Sequence, residues 1–359
     1  LMFISSFTEA LFLYFIDKLN GERSIYAIYH LLKGKKSSQT IQDAHLFGVK
    51  KLFGTYSPIT REQLEQCVSV SIKHKWLIET NKENHFLLTE KGRQESKKYL
   101  SIHPLPADLD GWGFQNNAAV FWGRLTLLLQ SLSHIINGEN DFYPIQRNAV
   151  IQNWVKRFFQ LHPQNRNEMG QSYYDELVRL LEKKSGAERD VFVMRLTGSH
   201  RIGSTFKQIS EAARIDEMYV RFLFLGMLHY LIREITVNRE DLPFLYAVIK
   251  DLLPNEDRPL TESARLTLTY IEAGKQLKEV AAIRRLKVNT IEDHIVEIVL
   301  AKPDFLITSF VSEKTEDEII DAAKKLKTRQ LKIIKNQLAN EDVTFFQIRL
   351  VLARGGGDA

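Results

Sequence analysis

The sequence predicts a mainly α-helical protein in three parts: an N-terminal winged-helix-like module with a small β-hairpin, an all-helical middle domain and a C-terminal helix-turn-helix module. Three observations carry this. In LKEVAAIRRLKVNTIEDHIVEIVLAK, Leu277 to Lys302, two apolar stripes at helical spacing flank a three-residue turn. Nearer the start, a Thr60/Gln63 pair opens a helix, and the alternating WLIETNKENHFLLTEKGR after it reads as two short strands. Between these lie the stripes Phe121, Leu125, Leu128, Leu129, Leu132 and then Trp154, Val155, Phe158, Phe159, Leu161.

The chain has 359 residues, room for two or three domains, and its 44% hydrophobic and 26% charged residues are ordinary for a globular protein. Lys+Arg 49 against Asp+Glu 44 gives +5, with a pI of about 9.0. An anionic partner is permitted by that balance and not required by it. A single cysteine, Cys67, excludes a disulfide framework and a multi-cysteine metal site and points to a reducing, cytoplasmic setting. The apolar start LMFISSFTEALFLYFIDKLN lacks a basic leader and is interrupted by Ser5, Ser6, Thr8, Glu9 and Asp17. Core packing through Phe12, Phe15, Ile16 and Leu19 fits it better than a signal peptide or membrane span, and no membrane partner is expected.

In the first module, Ile25, Ile28, Tyr29 and Leu32 mark a helix ending near Gly34, and Thr40 to Phe53 a second ending near Gly54. The third continues through Leu64, Cys67, Val68 and Ile72 to Trp76 and Leu77; the hairpin turns at Asn81 to Asn84, and Gly92 punctuates. Lys33, Lys35, Lys36, Lys50, Lys51, Lys73 and Lys75, with Lys82 at the wing tip, are candidates for phosphate contact or a solvated basic face. Glu62 and Glu65 on the third helix oppose DNA there.

The boundary composition HPLPADLDGWG starts the middle domain, so that residues 1–105 form the first domain and 106–255 the second. Its Asp108 and Asp110 read as a turn, because the later ligands of a calcium loop are missing. FKQISEAARIDEMYVRFLFLGMLHYLI is a second helix-turn-helix-like segment, whose second helix is too apolar for a DNA groove and reads as a buried scaffold. The preceding GSHRIGST lacks the Gly-Lys-Ser/Thr of a phosphate-binding loop and reads as a connector.

LLPNEDRPLTE, with Pro254 and Pro259, sets the second boundary; 256–354 form the third domain and 355–359 a disordered glycine-rich tail. A helix over SARLTLTYIEAGK stops at Gly274 and leads into the helix-turn-helix, where Ala281 is small at the crossing and Asn289, with Glu292, is placed to cap the second helix. Three more helices follow, over Glu316 to Lys327, Arg329 to Asn336 and, capped by Thr344, Phe345 to Leu352. Candidate nucleic-acid contacts are Arg284, Arg285 and Lys287 at the turn, Asn289, Thr290 and His294 on the second helix, and Lys324, Lys325, Lys327, Arg329, Lys332 and Lys335 further on. Lys325, Arg329 and Lys332 share a face if one helix runs through Thr328. Glu292, Asp293 and Glu297 count against deep insertion in a major groove.

The segment Leu260 to Arg354 resembles the C-terminal helix-turn-helix module attached to some RecQ-type DNA helicases and found in YpbB-like proteins of Gram-positive bacteria. LKEVAAIRRLKVNTIEDHI, DAAKKLKTRQLKIIKNQL and VTFFQIRLVLA carry the likeness, and the length and the other two modules fit a YpbB-like protein. The resemblance implies an accessory of a RecQ-family helicase in DNA repair or recombination, with the helicase as partner and DNA as a second candidate. The alternative expectation is a transcription regulator reading a specific operator. An enzyme is not expected: the ten histidines form no HxxxH or HxH pair, there is no Walker lysine, and Cys67 lies on an apolar face. No cofactor is expected, and oligomeric state stays open.

Overall fold

The computed structural model describes residues 4, 6–115, 117–139, 141–163, 165–184, 186–253, 260–302, 304–326 and 328–355. The boundary expected at Pro254 to Pro259, Pro303, Lys327 and residues 356–359 of the expected tail lie outside them; Gly355 ends a helix.

The first part contains α1 (Phe7–Leu19), α2 (Tyr26–Lys33), α3 (Ser38–Leu46), a 3-10 turn at Lys50–Leu52, α4 (Arg61–Lys73), strands β1 (Leu77–Glu79) and β2 (Phe86–Leu88), and α5 (Glu90–Ile102). Phe12, Phe15, Ile16 and Leu19 of α1 are buried, as their spacing predicts. The helix expected from Thr40 to Phe53 breaks after Leu46, because Gly48 sits in the left-handed region at φ 64 and leaves room for only a 3-10 turn. The Thr60/Gln63 capping box is made in both directions, at 3.0 and 3.2 Å. Leu64, Cys67, Trp76 and Leu77 are buried, whereas Ile72 stays 46% exposed. The strands pair antiparallel, Ile78 opposite Leu87. Gly92 does not end an element: it lies in the first turn of α5, where an added Cβ would stand 2.4 Å from the Trp76 carbonyl oxygen. The residue is small because the hairpin backbone lies against it.

The middle part comprises α6 (Gly111–Phe114), α7 (Ala118–Ile136), α8 (Ala149–Leu161), α9 (Arg166–Glu182), α10 (Ala187–Met194), α11 (Phe206–Ala213), α12 (Glu217–Val237) and α13 (Pro243–Ile249). Helix α7, the one described helix long and apolar enough to cross a membrane, packs against α8, α9, α12 and α13 through Phe121, Leu125, Leu128 and Leu132. Leu161, read as part of the second stripe, is instead exposed at the end of α8. Helix α12 is buried around its circumference, the scaffold its composition predicts. Asp108 pairs with Lys184 and Arg233, and Asp110 caps α6 through the Gly113 N–H at 2.9 Å, so the DxDG stretch is a turn whose carboxylates are already engaged.

The last part has α14 (Glu262–Glu272), α15 (Leu277–Arg284), α16 (Val288–Ala301), α17 (Glu313–Leu326), α18 (Leu331–Gln337) and α19 (Phe345–Gly355). Thr344 caps α19 by exchanging bonds with Gln347 at 2.9 and 3.2 Å. The three sequence segments become two compact units. One joins Leu11–Ser96 to Pro254–Ala359; the other joins Phe3–Ala10 to Lys97–Leu253, the division passing through α1 and α5. The physical reason lies in α16, which packs on α14, α15, α19 and also on α3. Ile291, Ile295, Val296, Ile298 and Val299 are all at most 1% exposed, each side chain worth about 1.5–3 kcal/mol of burial.

A candidate nucleic-acid interface at the helix-turn-helix

Helices α14, α15 and α16 close around Val280, Ala281 and Ile291, with Tyr270, Ile271, Leu277, Leu286 and Val288 packed on that cluster. Helix α15 is opened by Gln276, whose N–H donates to Glu279 Oε2 at 2.7 Å. It is closed by Arg285, in the left-handed region at φ 53, and the Leu286 N–H returns to the Ala281 carbonyl at 2.9 Å. Helix α16 then starts at Val288. Asn289 therefore lies inside its first turn and does not cap it; Lys287 stands at the cap position, and no side chain bonds there.

Of the residues proposed from sequence, Arg285, Lys287 and Asn289 are exposed around this helix start and Thr290 is partly exposed. Arg284 and His294 are not available to a ligand. The Arg284 guanidinium donates to the Ser263 carbonyl at 2.7 Å, to Ser263 Oγ at 2.9 Å and to Thr267 Oγ1. His294 is buried and bonded to the same hydroxyl at 2.9 Å. Burial first, and then the Arg284 charge, hold its pKa below the ordinary histidine range. These two residues clamp the three helices together. Sequence periodicity hides this, because their partners Ser263 and Thr267 lie on α14.

The acidic residues of α16 are also engaged. Asp293 pairs with Arg349 of α19, which stands 3.8 Å from Glu292, and Glu297 accepts from the N–H of Thr261 and, at 3.1 Å, from its hydroxyl. Their charge is thus largely answered inside the protein. From His294 onward α16 is buried, so only its first residues, up to Asp293, can reach a groove.

The same helix-turn-helix arrangement recurs between α11 and α12. Helix α11 starts with a Thr205/Gln208 capping box and ends at Arg214, φ 54, and the Ile215 N–H returns to the Ser210 carbonyl at 3.2 Å. Ile209 and Val220 are buried at the positions of Val280 and Ile291. The difference is at the start of the following helix. There Asp216 caps α12 through the Met218 and Tyr219 N–H groups at 2.7 and 3.2 Å and also accepts from the Phe7 N–H at 3.1 Å. One helix start is acidic and sealed by the chain; the other is cationic and open.

The remaining candidates are dispersed. Lys324 and Lys325 are exposed at the end of α17, and Lys332 is exposed on α18. Arg329 lies between those helices, partly buried, with its N–H on Glu22 Oε1 at 3.3 Å, so it shares no helix face with Lys325 and Lys332. Lys335 covers the Phe345 ring at 5.0 Å. In the first part, Lys73 ends α4, Lys75 follows in the left-handed region at φ 59, and Lys82 is in the hairpin turn; all three are exposed, at the hairpin end of α4. At its opposite end stands the exposed Arg61, which the lysine-based reading missed and the capping box at Thr60 could have signalled as a helix start.

The fold and the open start of α16 define a helix-turn-helix protein, and a family model described as a helix-turn-helix domain matches residues 263–352. The chain belongs to the YpbB family: it is 37% identical over 339 residues to Protein YpbB of Bacillus subtilis (strain 168), with 94% of each chain covered. No solved structure matches it.

Proposed function

We propose that the protein is a non-enzymatic accessory of a RecQ-family DNA helicase, acting in DNA repair or recombination in the cytoplasm, that grips DNA through phosphate contacts. The observation behind the DNA half is the uncapped start of α16, ringed by Arg285, Lys287, Asn289 and Thr290, in contrast to the sealed start of its structural counterpart α12. Free backbone N–H groups and cations together suit a phosphate. Because α16 is buried from His294 onward, the contact is shallow and tolerant of sequence. The helicase half is supported by the resemblance of residues 260–354 to the module appended to RecQ-type helicases.

Two measurements test the halves separately. In a duplex titration against salt, R285A and K287A are each expected to weaken binding and to lower the log–log salt slope by about 1; an unchanged slope sinks the DNA half. A nuclease-treated pull-down from the native cytoplasm is expected to recover a RecQ-family helicase, and its absence sinks the other. A second reading, a transcription regulator, is favoured by the exposure of Asn289 and Thr290 in the first turn, where such side chains meet base edges. Retention of one operator against excess random duplex would select it.

A further inference from the structure

Helix α2 turns Ile28, Leu31 and Leu32 into the core, and its outward face reads Tyr26, Tyr29, His30 and Lys33, spaced i, i+3, i+4 and i+7. Both tyrosines are partly exposed. The Arg61 guanidinium at the start of α4 lies 5.2 Å from the Tyr26 ring centroid and 5.5 Å from that of Tyr29. The Lys33 ammonium lies 4.7 Å over Tyr29. The Tyr26 hydroxyl donates to Glu65 Oε1 at 3.0 Å, which fixes that ring. At His30, after partial burial, Lys35 and Arg61 hold the pKa below its ordinary range, while at Tyr26 the Glu65 carboxylate is the neighbouring charge that Arg61 offsets.

Phe12, Phe15, Phe53 and Trp76 of this unit are buried, and the exposed Phe345 is a lone ring under Lys335. Two ordered tyrosines at the surface among cations are a different arrangement. In a winged helix the start of the third helix is the end presented to nucleic acid, and Arg61 stands there. A duplex hides its base faces, so phosphate contact alone would have no use for rings; an unpaired base offers a face to stack.

We infer that the face formed by Tyr26, Tyr29 and Arg61 binds unpaired nucleobases of a single-stranded nucleic acid, with Lys33 and Lys35 meeting its phosphates. This rests on the proposed function in one respect, that the chain acts on nucleic acid, and it names the strand form that the helix-turn-helix does not. A protein with both surfaces holds a junction of single and double strand.

The test is fluorescence anisotropy of the full chain with labelled oligothymidine, an abasic strand of equal length, and a duplex. Oligothymidine is expected to bind more tightly than the abasic strand. Y26L/Y29L, which keeps apolar bulk and removes the rings, is expected to weaken oligothymidine binding by roughly tenfold or more and to leave the abasic strand and duplex unchanged. Equal affinity for oligothymidine and the abasic strand, or an unaltered Y26L/Y29L, overturns the inference. R285A/K287A gives the converse control: if it spares duplex binding while the tyrosine pair still discriminates, the helix-turn-helix reading fails and this one stands. Oligouridine in parallel assigns the strand as DNA or RNA. Should Y26L/Y29L misfold, photocross-linking of a bromouracil strand to the unaltered protein decides: cross-links at Tyr26 or Tyr29 support the site, and cross-links confined elsewhere overturn it.

Discussion

Glu297 of α16 holds Thr261, the residue that begins α14: its carboxylate accepts from the Thr261 N–H and, at 3.1 Å, from the Thr261 hydroxyl, while that same hydroxyl caps α14 through the Ala264 N–H at 3.1 Å. At 5% exposure the carboxylate is buried, and burial raises its pKa against the lowering effect of these bonds. E297A leaves a partly buried N–H without its acceptor and is expected to cost about 1 kcal/mol in urea denaturation. E297Q, which keeps one acceptor, is expected to cost less.

In the middle unit, His229 is fully buried on α12, and its Nδ1 accepts from the Asp110 N–H at 2.9 Å, which places the proton of the neutral ring on Nε2. Burial pushes its pKa down to about 4, only partly opposed by Asp108. The unfolded ring titrates near 6.5. Between those values the unfolded chain holds a proton that the folded chain refuses, so stability is complete above pH about 6.5 and falls as pH drops toward about 4, by on the order of 3 kcal/mol in all. Denaturation at a series of pH values checks this; H229N, whose amide oxygen replaces Nδ1 as acceptor, is expected to flatten the profile.

G92A should act through the hairpin. An alanine Cβ there meets the Trp76 carbonyl at 2.4 Å and Leu88 Cδ1 at 2.9 Å, so backbone has to move, at a cost of about 1–3 kcal/mol. Trp76 is 1% exposed, and a red shift of its emission at unchanged helicity would report the displaced strand.

Local chemistry was the legible part of the fold. The Thr60/Gln63 box, the apolar face of α1, the hairpin, the capping Thr344 and the turn between α15 and α16 follow from neighbours within a few residues. The site was legible where it depends on the same short range: Arg285, Lys287 and Asn289 are exposed at the turn, as expected. Arg284 and His294 were misplaced because their exposure is decided by Ser263 and Thr267, and the acidic residues of α16 because their partners, Arg349 and Thr261, lie on either side of the helix-turn-helix in sequence. Lys325, Arg329 and Lys332 failed as a stripe because α17 ends at Leu326. The α2 face was readable in principle, since Tyr26, Tyr29, His30 and Lys33 repeat at helical spacing; aromatic residues at that spacing are ordinarily core, and only the packing shows that Ile28, Leu31 and Leu32 face inward.

The packing of α16 on α3 has a temporal side. During synthesis, α3 leaves the ribosome some 250 residues before its partner, and the unit Lys97–Leu253 is translated in the interval. That unit can fold while the first unit still waits for its C-terminal segment. The first unit closes last, across some 250 residues, a slow step by contact order. A nascent chain arrested before α16 is expected to expose the apolar residues of α3 and to recruit chaperones, and that exposure to end only when α16 and α19 arrive.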